Sequence, residues 1–321
     1  MAGKTLLITG ATGFIGKSLV KCLLSNKEYK LVCLVRKTSK TDFLTKNGVE
    51  TVLGDICDFA GMEKIFKEVR PDIVVHAAAK VSETNETELR NYNVTGTHNI
   101  CELCFVYDIE KLIYLSSVSV LSGNGDVPLT ECLPYKASNH YGKSKIEAER
   151  VVLDYRKKGL QISILRPCMV YGEDEPHALD KILRLAEKRR IPVLDIPEMN
   201  SKLHLVYVEN VIDALMLSLE KKEALFGTFI IADKEVITLK KFLEIIYDAL
   251  GKGAPPVMPR WLVKSLMVFP PFNSRIRGIF KDRVYNITRA ENELGYEPEI
   301  STEEGLRRTV RYWREAEHVK N

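Results

Sequence analysis

Thr5-Leu-Leu-Ile-Thr9-Gly10-Ala-Thr-Gly13-Phe14-Ile15-Gly16 stands near the start of this 321-residue chain, and its reading decides the fold. Residues 5–9 are a short apolar run, three glycines follow, and residues 14–24 alternate apolar and polar positions at helical intervals. The order is strand, glycine turn, helix. Glycines let the backbone turn tightly and approach a pyrophosphate, whose charge then sits among the unpaired N–H groups of a helix N-terminus. A dinucleotide is the expected occupant. The competing reading is a tight strand-to-helix turn that holds nothing.

Working outward, further apolar runs at 30–35, 49–53, 72–76 and 112–115 are separated by helix-like or loop segments. This alternation predicts an α/β fold with a parallel sheet and right-handed crossovers. The end of the second strand is where dinucleotide folds select their cofactor: an acid bonds the ribose hydroxyls of NAD, whereas an arginine accommodates the 2′-phosphate of NADP. Arg36 lies 20 residues beyond Gly16, with Lys37, Ser39 and Lys40 after it and no acid before Asp42. NADP(H) is therefore preferred and NAD(H) remains possible; the bland alternative is a solvated basic loop. Gly54-Asp55-Ile56 and His76-Ala77-Ala78-Ala79 close the third and fourth strands. Small residues at strand ends allow a cofactor close approach. His76 reads as a core histidine, because no second histidine or acid stands at metal-ligand spacing, and no metal is expected.

Composition narrows the class. With 45% apolar and 28% charged residues and a net charge of +4, the chain reads as globular and soluble, and its surplus is too slight for a nucleic-acid partner. Seven cysteines lie scattered through apolar segments, and the N-terminal residues lack the pattern of a leader peptide, so a reducing cytoplasm is the expected location. Cys101 and Cys104 read as buried small hydrophobes within a helix spanning 83–107, rather than as a redox pair.

Tyr141 and Lys145 share a helix face at i, i+4 in the segment 140–158. An ammonium beside a phenol favours the phenolate and lowers its pKa from about 10 toward working pH. Spacing alone is weak, since Tyr107 and Lys111 repeat it. Ser116-Ser117 end the fifth strand, and Ser117 precedes Tyr141 by 24 residues across a polar loop.

Taken together, residues 9–16, 54–56, 76–79, Asn93-Val-Thr-Gly-Thr97, Ser116-Ser117, Tyr141-Gly-Lys-Ser-Lys145 and Arg166-Pro167-x-x-Val-Tyr-Gly172 resemble the extended class of short-chain dehydrogenase/reductases, in that family's order. The resemblance runs to Leu294-Gly-Tyr-Glu-Pro298 and implies a Rossmann-type doubly wound parallel sheet with a smaller C-terminal α/β substrate domain, divided near residues 171 and 172. It implies a catalytic set in which Ser117 bonds the reacting oxygen, Tyr141 is the general acid or base, and Lys145 lowers the tyrosine pKa and binds the nicotinamide ribose. It places Gly10, Gly13, Phe14, Ile15, Gly16, Arg36, Asp55, Ile56, Ala77, Ala78, Ala79, Asn93, Tyr141, Lys145 and Pro167 about the cofactor. Asp55 and Ile56 would contact adenine, and Asn93 would arrange the helix or a proton-relay water. Hydride transfer at a secondary alcohol or ketone carbon is the implied chemistry.

The second half bears on the substrate. Helices are expected at 178–190 and 209–220, and strands at 203–207 and 227–232. Members acting on nucleotide sugars commonly carry Asn or Gly after Arg-Pro and an Arg-Asp pair in a later strand, where this chain has Met169 and Leu203-His204. The chain is closer in these motifs to the 3β-hydroxysteroid dehydrogenase and dihydroflavonol reductase branches, whose substrates are apolar ring alcohols or ketones. A nucleotide-sugar epimerase or dehydratase with tightly bound NAD is the alternative, and a cofactor-sensing protein without catalysis is another. Residues 258–283 combine six Lys or Arg with one acid around Trp261 and point to weak peripheral membrane contact, to a lid over an apolar substrate site, or to an ordinary packed helix. The helices at 83–107 and 140–158 are expected to pair across a two-fold axis in a homodimer.

Overall fold

The computed structural model describes residues 3–81, 85–125, 127–175, 179–222, 224, 226–267 and 280–318. Strands β1 (Lys4–Thr9), β2 (Tyr29–Val35), β3 (Glu50–Leu53), β4 (Ile73–His76), β5 (Lys111–Leu115), β6 (Ile162–Pro167) and, much later, β10 (Thr228–Ile231) form one sheet in the order β3-β2-β1-β4-β5-β6-β10. Every pairing in it is parallel. Register fixes what meets at its edge: Thr9 faces Leu34 and His76, His76 faces Tyr114, and Leu115 faces Leu165. The residues that follow, Gly10, Arg36, Ala77, Ser116 and Arg166, therefore emerge at the carboxyl ends of neighbouring strands.

A buried parallel strand must be apolar on both faces, and β1 is. Leu6 and Ile8 join a core with Leu19, Val20 and Leu23 of α1 (Phe14–Leu23) and with Val211 and Leu215 of a later helix, Val208–Glu220. Leu7 points the other way, toward Met62 and Phe66 of the helix Phe59–Val69, Ile100 and Leu103 of Gly96–Val106, and Ala148 and Val152 of His140–Lys157. With the short helices Asp42–Lys46 and Glu86–Arg90 counted, these are α2 (Asp42–Lys46), α3 (Phe59–Val69), α4 (Glu86–Arg90), α5 (Gly96–Val106) and α6 (His140–Lys157). Each fully buried leucine contributes about 1.5–3 kcal/mol.

One expectation is corrected here. The helix anticipated over 83–107 is α4, then a wide π turn at Asn91–Thr95, then α5. The π turn turns Asn93 inward, where its amide bonds the backbone of Lys80 in both directions, at 2.8 and 2.9 Å. Residues 82–84 lie outside the described residues.

From Met169 onward come β7 (Met169–Tyr171), α7 (Leu179–Glu187), β8 (Val193–Leu194), β9 (Lys202–Tyr207), α8 (Val208–Glu220), β11 (Val236–Thr238), α9 (Leu239–Ala249), β12 (Val257–Met258), α10 (Arg260–Met267) and α11 (Thr302–His318), and a second core gathers around Tyr171, Leu183, Leu205, Ile246 and Leu306. β9 pairs with β7 in parallel and β11 antiparallel, while β8 pairs with β12. The two cores are stitched by Asp233, which is fully buried just beyond β10. Its carboxylate accepts from Tyr207 N (2.9 Å), Asn210 Nδ2 (2.8 Å), Thr302 Oγ1 (2.9 Å) and Tyr171 OH (3.1 Å). Burial raises this carboxyl above its ordinary value, and the four donors oppose that rise. A strand from the second half thus completes the first sheet, and the two halves interleave.

Candidate active site

The site begins at the end of β5. Ser117 Oγ accepts the N–H of Ser119 at 3.1 Å and starts a short 3₁₀ turn, Val118–Leu121. Helix α6 is capped by Asn139, whose side chain accepts from Gly142 N at 2.8 Å. Gly142 has to be glycine for packing reasons: a Cβ there would lie 2.6 Å from the Ser119 carbonyl oxygen. That close approach of helix to turn brings Tyr141 against Ser117, near enough for the serine hydroxyl to favour the phenolate. One turn on, Lys145 is 1% exposed; its Nζ donates to Leu115 O at 2.9 Å and lies 4.3 Å from the Tyr114 ring centre.

The electrostatics depart from the expectation for the pair. Part of the Tyr141 side chain reaches the surface, yet desolvation pushes its phenol up to about 12, and the Ser117 hydrogen bond opposes that shift. Burial brings Lys145 down to about 7, with Glu149 opposing. Desolvation is thus the larger influence on both members of the pair, raising the phenol and lowering the ammonium.

Glu149 lies four residues past Lys145 and is fully buried. It accepts from Arg166 Nη2 at 2.6 Å and Nε at 3.0 Å, from Tyr135 OH at 2.7 Å and from Ser116 Oγ. The ends of β5 and β6 and the middle of α6 are thereby locked together. The signal for this was present, since Glu149 repeats the i, i+4 step on the same helix face, but its partners come from distant segments.

Beside this set is a cleft of about 440 Å³, lined by Gly10, Gly13, Arg36, Ile56 and Ala77 to Ala79 among the expected residues, and also by Thr12, Leu34, Ser39, Gly54, Lys80 and Tyr92. Gly10 has φ +75°, and a Cβ there would come within 2.7 Å of the Ala77 and Ala78 backbone; one on Gly16 would collide with the Gly10 carbonyl. The first intrahelical bond of α1 is Lys17 N to Gly13 O at 2.8 Å, which leaves the N–H groups of Phe14, Ile15 and Gly16 without intrahelical acceptors. A cradle of this kind, with two cations and no carboxylate among its lining side chains, fits a dinucleotide pyrophosphate.

Other expected residues sit elsewhere. The ring of Phe14 packs toward the second core and Ile15 into the first, so only their backbone faces the turn. Asp55 Oδ1 accepts from Cys57 N at 2.9 Å, within its own loop. Asn93 Nδ2 donates to Ser144 Oγ at 2.9 Å, one residue before Lys145, and Pro167 is buried opposite Ile231. Neither lines the cleft, and nor do Ser117, Tyr141 and Lys145. His76 bonds Thr9 Oγ1 at 2.7 Å and Thr97 Oγ1 at 3.1 Å, and burial lowers it to about 3, so it is a neutral, satisfied core histidine. Among the described residues no three His, Cys, Asp or Glu are grouped to hold a metal, and no helix is long and apolar enough to cross a membrane. Cys101 and Cys104 are buried in the α5 packing layer.

Known proteins bear on this geometry. The NAD dependent epimerase/dehydratase family matches residues 6–232. A putative UDP-glucose 4-epimerase of Methanocaldococcus jannaschii is 30% identical, over 96% of this chain and 97% of its own length. Human sterol-4-alpha-carboxylate 3-dehydrogenase, decarboxylating, is 28% identical over 99% of this chain and 90% of its own. Among solved structures, the Thermus thermophilus UDP-glucose 4-epimerase complex with NAD superposes with a TM-score of 0.77 at 27% identity, over 97% of this chain and 99% of that one. A parallel sheet wound in this order, a glycine cradle at the carboxyl end of its first strand, and full-length similarity to epimerases and dehydrogenases agree: the chain belongs to the NAD-dependent epimerase/dehydratase family, within the extended short-chain dehydrogenase/reductases, and is an oxidoreductase of that class.

Proposed function

We propose that the protein prefers NADP(H) and interconverts a secondary alcohol and a ketone on an apolar ring substrate, with Ser117, Tyr141 and Lys145 as its catalytic set. The observation that carries this reading is the meeting of those three side chains at the end of β5. When bound, the nicotinamide ring supplies or removes hydride at the carbinol carbon. In the reducing direction Ser117 Oγ–H donates to the ketone oxygen, and Tyr141 delivers its proton to that oxygen as the C–O π bond breaks. Lys145, once protonated, stabilises the phenolate that remains. Glu149 sustains that charge from one helical turn away.

Arg36 and Lys80 in a cleft without a lining acid support NADP(H), and Gly10, Gly13, Ile56 and Ala77 to Ala79 would hold the dinucleotide. Met169, 41% exposed after Arg166-Pro167, and Leu203 support an apolar substrate, as does similarity to sterol dehydrogenases. Similarity to UDP-glucose 4-epimerases supports the second reading, a nucleotide-sugar epimerase that retains NAD through its cycle. Titration with NADPH and NADH, with mass spectrometry of what copurifies, separates them. Tight NADPH and an empty purified protein are expected; stoichiometric retained NAD, with turnover of UDP-glucose, would refute the first reading.

We assign cofactor binding chiefly to residues 1–171 and substrate binding chiefly to 172–321, in a cytoplasmic protein. Phe105 and Val106 are exposed at the end of α5, which supports a homodimer through α5 and α6; a monomer in light scattering argues against it. In the segment 258–283, residues 268–279 lie outside the described residues, and Trp261 on α10 is 69% exposed. Weak contact with anionic membranes is the proposed use. It fails if the protein does not co-sediment with phosphatidylserine vesicles at low salt.

A further inference from the structure

Tyr92 lines the cofactor cleft, although it lies in the π turn, and its ring centre is 5.7 Å from Arg36 Cζ and 5.7 Å from Lys80 Nζ. Both distances are within cation–π reach. Arg36 is otherwise placed at the mouth of the cleft only by its backbone, whose N–H donates to Ser39 Oγ at 3.0 Å. Lys80 is also paired with Glu88, which does not line the cleft. Two cations brought to one ring repel each other, and the negative face of that ring offsets the repulsion. The arrangement is most stable when an anion joins them.

We propose that Tyr92 is a specificity-determining residue of the cofactor cleft: it holds Arg36 and Lys80 together as a two-cation seat for the 2′-phosphate that distinguishes NADP(H) from NAD(H). The proposal rests on the NADP(H) reading above and extends it to two residues that no glycine-turn pattern marks. Tyr92 is followed in the π turn by Asn93, whose side chain fixes the Lys80 backbone and so holds that lysine beside the ring.

The test is NADPH and NADH binding to the full chain, followed by nicotinamide fluorescence, so that no turnover is needed. Tyr92→Leu is expected to weaken NADPH about three- to tenfold and leave NADH within about twofold, from loss of the ring's hold on the cations. Tyr92→Phe keeps the ring and is expected to behave as wild type. In an Arg36→Ala background the effect of Tyr92→Leu is expected to shrink, since the two act through one contact. Lys80→Ala, which leaves the backbone bonds between residue 80 and Asn93 in place, is expected to show the same NADPH-selective loss, and it decides the matter should Tyr92→Leu fail to fold. Equal losses for both cofactors, or no loss, overturn the proposal while wild-type preference for NADPH leaves the parent reading standing. Tighter NADH binding by the wild type overturns both.

Discussion

Strand β5 has a buried lysine ammonium at each end, and the two are put to different ends by the fold. At its start, Lys111 Nζ donates to Ser218 O at 2.9 Å and Leu219 O at 2.8 Å, closing the last carbonyls of α8. At its finish, Leu115 O receives Lys145 Nζ from α6. Both lysines follow a tyrosine by four residues. Tyr141 and Lys145 are on one helix, so the spacing puts them on one face. Tyr107 ends α5, Asp108 turns the chain at φ +51°, and Lys111 is already in the strand, so the same spacing sends those side chains apart. Tyr107 instead reaches α3, where its hydroxyl donates to Glu63 Oε1 at 3.4 Å. Spacing has meaning only inside one element.

The sharpest way to break this comparison is at the tyrosines. Tyr141→Phe is expected to reduce turnover about 10²–10⁴-fold with cofactor affinity nearly unchanged, and Tyr107→Phe to leave turnover within about twofold. Steady-state kinetics beside a binding titration checks both, and an active Tyr141→Phe variant ends the catalytic assignment.

The lysines should differ in the sign of their effect on stability. Lys145 is held at about 7 in the folded protein against 10.5 in an unfolded chain. The unfolded state thus binds the extra proton between those values, and burying the ammonium weakens the fold most below pH 7, with relief as pH rises. Lys145→Met is expected to lower turnover by about tenfold or more yet stabilise the protein by about 1–3 kcal/mol, more at pH 6 than at pH 9. Burial lowers Lys111 as well, but its ammonium pairs three carbonyls where Lys145 pairs one, so Lys111→Met is expected to preserve turnover and cost about 1–3 kcal/mol by leaving helix-end carbonyls unpaired. Thermal melts at the two pH values decide; stabilisation by both substitutions contradicts the distinction.

A smaller kinetic change than at Tyr141 or Lys145 is expected at Glu149. Because its carboxylate holds the Lys145 pKa up, Glu149→Gln should move the pH at which activity is lost on deprotonation of that ammonium toward lower values, with cofactor KM little altered. It also strips Arg166 of its buried partner, at about 3–5 kcal/mol. An unmoved pH profile in a folded variant would show that the carboxylate only braces the strands.

Much of this site was legible before any coordinates. The glycine turn, Arg36, the small residues of 77–79 and the Ser117, Tyr141 and Lys145 set emerge at one sheet edge because parallel strands in register present their carboxyl ends together. Tyr92 and Lys80 were not marked, because a helical reading of 83–107 gave no reason for a π turn there. For Tyr141 and Lys145 the expected lowering of the phenol gives way to a rise caused by burial. Desolvation depends on everything packed around a group, and a spacing of four residues carries only the one neighbour.

By itself, then, the sequence determined the order of strands and helices, a glycine turn that fits a dinucleotide and the tyrosine–lysine pair proposed for proton transfer, since each of these is encoded by residues close together in the chain. Tertiary structure decided which of two identical tyrosine–lysine spacings becomes a site, what Glu149 and Asp233 bind, and how deeply Lys145 is desolvated. Those are properties of contacts between segments tens to more than a hundred residues apart, and they exist only once the sheet has closed and its two faces are dry.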